Sequence, residues 1–273
     1  MSVNTEKNSG VDNSGGFATV EWRGRRLQLE YQWAGAAASA HPTIVFLHEG
    51  LGSIALWRDF PERFCRENGF RGLVFSRYGY GNSTPRPHDE RWQSDFMHRQ
   101  AHEVLPQFLA ALGVEKPWLL GHSDGATIAL LYAARFPQQV SGVIVAAPHI
   151  FVEDISVDSI RAAREAYQAQ DLRAKLARFH ADVDSAFGGW NESWLDPSFR
   201  DWNIEAELAA ITCPLLAVQG EHDEYGTLEQ VYGIKRKVPH AQILVIPDCG
   251  HSPHRDQPDL FSKAAAGFIT SMV

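Results

Sequence analysis

Trp118-Leu119-Leu120-Gly121-His122-Ser123-Asp124-Gly125 carries a short apolar run into a GxSxG turn, and residues 126–136 continue it with helix-like composition. A strand that reverses this sharply into a helix has no room for side chains two residues either side of the serine, hence the two glycines. The Ser123 hydroxyl is thereby presented at the carboxyl end of a strand. In a chain with 22 glycines the pentapeptide alone says little, because Ser123 would equally serve as an ordinary helix N-cap. The strand-turn-helix context and two partners downstream separate the readings.

A serine is inert as a nucleophile at neutral pH unless a histidine takes its proton and a carboxylate holds that histidine in one tautomer. Residues 215–218 form a short buried-strand pattern that ends in Gln219-Gly220-Glu221-His222-Asp223-Glu224, which offers Asp223 as the acid. Residues 243–246 form another, running into Pro247-Asp248-Cys249-Gly250-His251. His251 is the expected base. Glu221, Glu224 and Asp248 compete for the acid role, and His222 and His254 for the base; spacing past the strand ends favours Asp223 and His251. A tetrahedral intermediate also needs aimed N–H donors, each worth roughly 2.7–4 kcal/mol. Asp124, directly after the serine, supplies one candidate, and Gly50 in His48-Glu49-Gly50-Leu51-Gly52-Ser53, after the strand pattern 43–47, supplies the other.

From about residue 19 to 271 the chain resembles the α/β-hydrolase superfamily. The resemblance rests on the Ser123 elbow, the His48-Glu49-Gly50 loop and Arg77-Tyr78-Gly79-Tyr80-Gly81-Asn82-Ser83. Glu49 stands where the superfamily usually has glycine, so the loop around the Gly50 donor is expected to bend differently, and the carboxylate would face solvent or sit beside the site. Ser76 replaces a common aspartate.

Strand patterns near 19–23, 27–33, 43–47, 72–76, 117–121, 140–146, 214–218 and 242–246 alternate with helical patterns near 57–67, 94–112, 125–136 and 258–271, with Gly113 closing the second helix. The expected fold is a mostly parallel eight-stranded sheet with helices on both faces. The division predicted is a disordered segment 1–16, a core of 17–148 and 211–273, and an inserted helical cap, 149–210. The cap is rich in large aromatics: Phe151, Phe187, Trp190, Trp194, Phe199 and Trp202. Some must pack the cap onto the body. Together they suggest an apolar pocket wall, with Glu49, Trp57, Tyr80, His149, Phe151, Trp190, Trp194 and His254 as candidates to touch substrate. Tyr78 and Arg255 are further possibilities, Arg255 for gripping a carboxylate.

With 44% apolar residues, 21% charged residues and a net charge of −8, the chain fills one sizeable core and is a poor partner for nucleic acid. Cys65, Cys213 and Cys249 show no metal spacing, and their odd number favours reduced thiols, hence a cytoplasmic setting. Cys249 near His251 is discounted as a nucleophile. No run reaches the roughly 20 apolar residues that span a bilayer, and no motif calls for a metal or cofactor. Expected partners are a small-molecule substrate and, at most, a second copy of the chain. The expected chemistry is hydrolysis of a carboxylic ester or lactone of a small, largely apolar molecule. Carbon–carbon hydrolysis of ring-cleavage type, thioester or amide hydrolysis, perhydrolysis, and a slow-turnover ligand receptor on the same fold are the alternatives.

Overall fold

The computed structural model describes residues 14–272. Eight strands form one sheet: β1 (Gly15–Trp22), β2 (Arg25–Gly35), β3 (Ile44–Leu47), β4 (Arg71–Phe75), β5 (Trp118–His122), β6 (Gly142–Ala146), β7 (Leu215–Gly220) and β8 (Gln242–Ile246). Their order is β1-β2-β4-β3-β5-β6-β7-β8. Arg23 and Gly24, with φ of 52° and 76°, make the tight turn of the β1–β2 hairpin, whose twist suits antiparallel strands. β2 also pairs antiparallel with β4, and the pairings from β4 through β3 to β8 are parallel.

Parallel strands with cover on both faces read as unbroken apolar runs, and β3, β5, β6 and β7 are buried along their whole length. Their side chains alternate between two cores. Val45, Leu47, Leu119, Val143, Val145 and Ala217 face one cluster, while Phe46, Leu120, Ile144, Leu216 and Val218 face the other. Helix α1 (Phe60–Asn68) and the C-terminal α11 (Pro258–Ser271) contribute Phe60, Phe64, Phe261 and Phe268 to the second cluster. The first cluster takes α2 (Phe96–Arg99), α3 (Leu105–Ala111) and α4 (Asp124–Arg135), the last buried from Asp124 to Ala133.

Between β6 and β7 lie α5 (Asp154–Ala169), α6 (Leu172–Leu176), α7 (Val183–Trp194) and α8 (Glu205–Leu208). α9 (Glu229–Lys237) and α10 (Pro253–Asp256) complete the set. His180, between α6 and α7, ties this insertion to the body: its Nδ1 accepts the Gly81 N–H at 3.0 Å and its Nε2 donates to the Leu51 carbonyl at 3.0 Å.

Several boundaries move from their sequence positions. Residues 1–13 of the expected disordered segment 1–16 lie outside the described residues, but Gly15 and Gly16 belong to β1, where they pair with Gln32 and Tyr31. The expected helix 94–112 is interrupted by a π-helical turn, Gln100–Val104, in which the Leu105 N–H reaches back to the Gln100 carbonyl just before Pro106. Pro106 brings no N–H to the helical ladder, and the widened turn accommodates that loss. α9, with Gly233 inside it, was not apparent as a helical pattern. Among the described residues, no helix is long and apolar enough to cross a membrane.

Candidate active site

The sheet register sets the ends of β3 and β5 side by side, with Leu47 opposite Gly121, and the loops that follow converge at the carboxyl edge. Ser123 sits at the β5–α4 turn with φ 52° and ψ −120°, a conformation that costs a non-glycine residue strain. Two contacts hold it there. Its N–H donates to the Ala146 carbonyl at 2.9 Å, and its neighbouring glycines abut backbone directly. A methyl on Gly125 would strike the Leu47 and His48 carbonyls, and one on Gly121 the Gly125 carbonyl.

Ser123 Oγ lies 3.0 Å from His251 Nε2, and His251 Nδ1 lies 2.7 Å from Asp223 Oδ1. Hydroxyl, imidazole and carboxyl thus touch in a row. The same Asp223 oxygen accepts the Tyr225 N–H at 2.8 Å, and its other oxygen accepts from Gln219 Nε2 at 3.1 Å. Burial alone would raise Asp223, but the hydrogen bond and charge of His251, with the Tyr225 N–H, hold it below the ordinary carboxylate range. An acceptor-only Asp223 leaves the His251 Nδ1 proton pointing at it and the Nε2 lone pair facing the serine.

The competitors fall elsewhere. Glu221, His222 and Asp248 are exposed, and Glu224 accepts the main-chain N–H of His251 at 3.1 Å without touching the ring. His254 is buried against Trp57, with ring centroids 4.7 Å apart and both its nitrogens unpartnered. Cys249 is buried, and burial pushes its thiol up to about 12.

A cavity of about 190 Å³ opens on Ser123, Asp124, His251, Glu49, Gly50 and His149, with Ile160, Trp190 and Trp194 from the β6–β7 insertion forming the opposite wall. Burial, then the charge of His251, lowers His149 to about 3, so it faces this cavity as a neutral imidazole. The indole of Trp190 lies against Gly50 so closely that any Cβ there would collide with it. Trp194 donates its indole N–H to Asp124 Oδ1 at 3.1 Å. Burial raises the Asp124 carboxyl, against the opposing pull of Arg77 and Trp194.

Three other candidates are held off the cavity wall by packing. Trp57 lies in the core beneath His122 and His254; Tyr80 packs on His48 and under the Arg77 guanidinium; Phe151 pairs with Asn203 in an isolated bridge. His254, already placed, is likewise not among the lining residues. Phe187 stacks on Tyr167, and Phe199 on Trp202, within the insertion. Sequence reading did not single out Ile160, Tyr225, Ser252 or His122 as lining residues. Tyr225 lies two residues past the acid, with its ring 4.6 Å from that of His251, and the turn that supplies its N–H to Asp223 was the available signal.

The His48 loop is locked in one tautomer. His48 Nε2 accepts the Arg77 N–H at 2.9 Å, so Nδ1 donates to the Glu49 carbonyl at 2.7 Å. Arg77 donates to that carbonyl as well, at 2.9 Å, and Gly52 N–H at 3.0 Å, which fixes the chain that presents Gly50.

A parallel sheet with its hairpin edge, a strained serine between β5 and α4, and a histidine and carboxylate delivered by the loops after β8 and β7 define a hydrolase of the α/β type. The chain belongs to the α/β-hydrolase fold family, whose model matches residues 42–187. It is 28% identical over 251 residues to the human serine hydrolase BPHL, covering 89% of this chain and 83% of that protein. It is 22% identical to the 2-hydroxy-6-oxo-6-phenylhexa-2,4-dienoate hydrolase of Burkholderia cepacia, covering 93% and 96%. The solved structure of VinJ superposes with a TM-score of 0.75 at 23% identity, covering 96% of this chain and all (100%) of that one.

Proposed function

We propose that this protein is a serine hydrolase that cleaves a carboxylic ester or lactone of a small, largely apolar substrate through an acyl-enzyme on Ser123. The observation that carries the reading is the unbroken contact from Ser123 through His251 to Asp223 on the wall of a cavity. The substrate carbonyl carbon lies over Ser123 Oγ. His251 Nε2 takes the hydroxyl proton as the oxygen attacks, and the charge on the former carbonyl oxygen is met by the N–H groups of Gly50 and Asp124, the latter at the positive end of α4. His251 returns the proton to the leaving alcohol, or to the ring-opened oxygen of a lactone. Water then repeats the sequence on the acyl group, and Asp223 balances the imidazolium each time. The cap, 149–210, supplies Trp190 and Trp194 as the wall that excludes bulk water. A cavity of about 190 Å³ is smaller than the roughly 300–1,000 Å³ of drug-sized sites, which favours short acyl groups.

Labelling with a fluorophosphonate tests the reading. We expect one modified residue, Ser123, in the native chain and none in Ser123→Ala. A panel of p-nitrophenyl esters of graded length, run beside a ring-cleavage dienone, tests the bond. Turnover of the dienone alone would replace ester cleavage with carbon–carbon hydrolysis, and no labelling of folded native protein would end the enzymatic reading.

A further inference from the structure

Glu49 occupies the loop that presents Gly50, and its carboxylate is not in open solvent. One oxygen lies 3.5 Å from His122 Nδ1, and the other lies 3.5 Å from a guanidinium nitrogen of Arg255 that also donates to the Leu56 carbonyl at 2.7 Å. The other ring nitrogen of His122, Nε2, lies 2.7 Å from the main-chain carbonyl of His251. A carbonyl only accepts, so His122 Nε2 carries a proton. Nδ1 then faces a carboxylate, which also only accepts. A neutral His122 would set its lone pair against that charge, while a protonated ring would aim an N–H at the carboxylate across the 3.5 Å gap.

We propose that Glu49 and His122 form a second carboxylate–imidazolium pair, which acts as a positioning device tying the oxyanion loop to the main chain of His251. Three loops meet in it: the loop after β3 through Glu49, the end of β5 through His122, and the loop after β8 through the His251 carbonyl and Arg255. This role rests on the serine-hydrolase reading above.

The electrostatic surroundings agree. Burial would raise Glu49, but His122, then Arg255 and His48, hold it well below the ordinary carboxylate range. His180 and Asp124 also face this carboxylate. His122 is faced by His149, His251 and His254; burial lowers His149 and His254, so neither competes as a cation. In the proposed pair Glu49 has two positive partners, His122 and Arg255.

The test compares native protein with Glu49→Gln, which keeps the shape and removes the charge, and Glu49→Asp, which keeps the charge. NMR of ¹⁵N-labelled imidazoles reads the His122 protonation state, and p-nitrophenyl acetate reads kcat and KM. We expect His122 doubly protonated at pH 7.5 in native protein and singly protonated in Glu49→Gln. We expect kcat to fall about tenfold in Glu49→Gln with KM nearly constant, as small displacements of positioned groups do, and to recover in part in Glu49→Asp. A His122 singly protonated at Nε2 in native protein overturns the pair. An active native enzyme whose kcat is unchanged in Glu49→Gln overturns the positioning role alone. A native protein inactive on every ester and unlabelled by fluorophosphonate overturns the serine-hydrolase reading and the positioning role together, while the imidazole signals still decide whether the pair exists.

Discussion

In the proposed reaction Ser123 trades stability for reactivity. Its φ of 52° is a conformation natural to glycine and costs other residues on the order of 1–3 kcal/mol. The strain persists because the turn is determined from outside, by the bond from Ser123 N–H to Ala146 and by the backbone carbonyls packed against Gly121 and Gly125. Replacing the side chain with alanine removes the hydroxyl but keeps the Cβ that creates the strain. Replacing it with glycine removes both. Ser123→Gly should therefore unfold at a higher urea concentration than native protein, by about 1 kcal/mol of stability, while Ser123→Ala stays near the native value. Equal midpoints for the two variants would show that the elbow is unstrained. Neither should react with fluorophosphonate.

Among the elements, α7 meets the loop after β3 at the cavity. Gly50 is packed under the Trp190 indole, so the N–H proposed as a donor and the aromatic wall are positioned by one another. A methyl on Gly50 must push α7 outward or rotate the loop; either displaces the reacting groups by a fraction of an ångström or more. Gly50→Ala should lower kcat/KM by about tenfold to a hundredfold. In a Trp190→Ala background the collision disappears, so the same substitution should cost much less, leaving a coupling of roughly 0.5–3 kcal/mol in a double-mutant cycle. Additive losses would mean that the two residues act independently. Sequence made the frame of this arrangement legible: Ser123, Asp223 and His251 all lie where buried apolar strand patterns end, and such runs are visible without a structure. The direction of loop side chains was not. Trp57, Tyr80 and Phe151 point away from the cavity because core packing, the His48 ring and an isolated bridge claim them, and each of those partners is distant in sequence. The same reason hid the Glu49–His122 contact, which needs three loops placed before it exists. The interruption at Gln100–Val104 was likewise invisible, since apolar spacing on either side of a π-helical turn still reads as one helix.

At the scale of the whole molecule, the fold holds an unusual number of histidines neutral in its interior. His48, His149, His180 and His254 are buried, and burial is the leading cause that lowers each below the ordinary 6.5. For His48 and His180 the geometry agrees, since one ring nitrogen of each already accepts a backbone N–H and a proton there would set donor against donor. Between the lowered folded value and 6.5 the unfolded chain binds a proton that the folded chain refuses. Stability therefore rises with pH across that window and is lost as pH falls from 6.5. The depressed carboxylates Glu49 and Asp223 lose their contribution only further down, as pH falls through their own lowered values, and the raised Asp124 carboxyl is common to native protein and a histidine variant, so comparing the two between 6.5 and 5 isolates the imidazole. Each fully excluded proton steepens the dependence by about 1.4 kcal/mol per pH unit. His149 is the place to test this, because its ring is unpartnered at Nδ1 while its main chain keeps both bonds to Thr127 whatever the side chain. Urea unfolding at pH 6.5, 6.0, 5.5 and 5.0 should show native stability dropping steeply, and His149→Leu should drop less steeply by about 1.4 kcal/mol per pH unit towards the acid end. Parallel curves would mean that the folded protein protonates His149 as readily as the unfolded chain does, and that the cavity beside Ser123 admits a second positive charge.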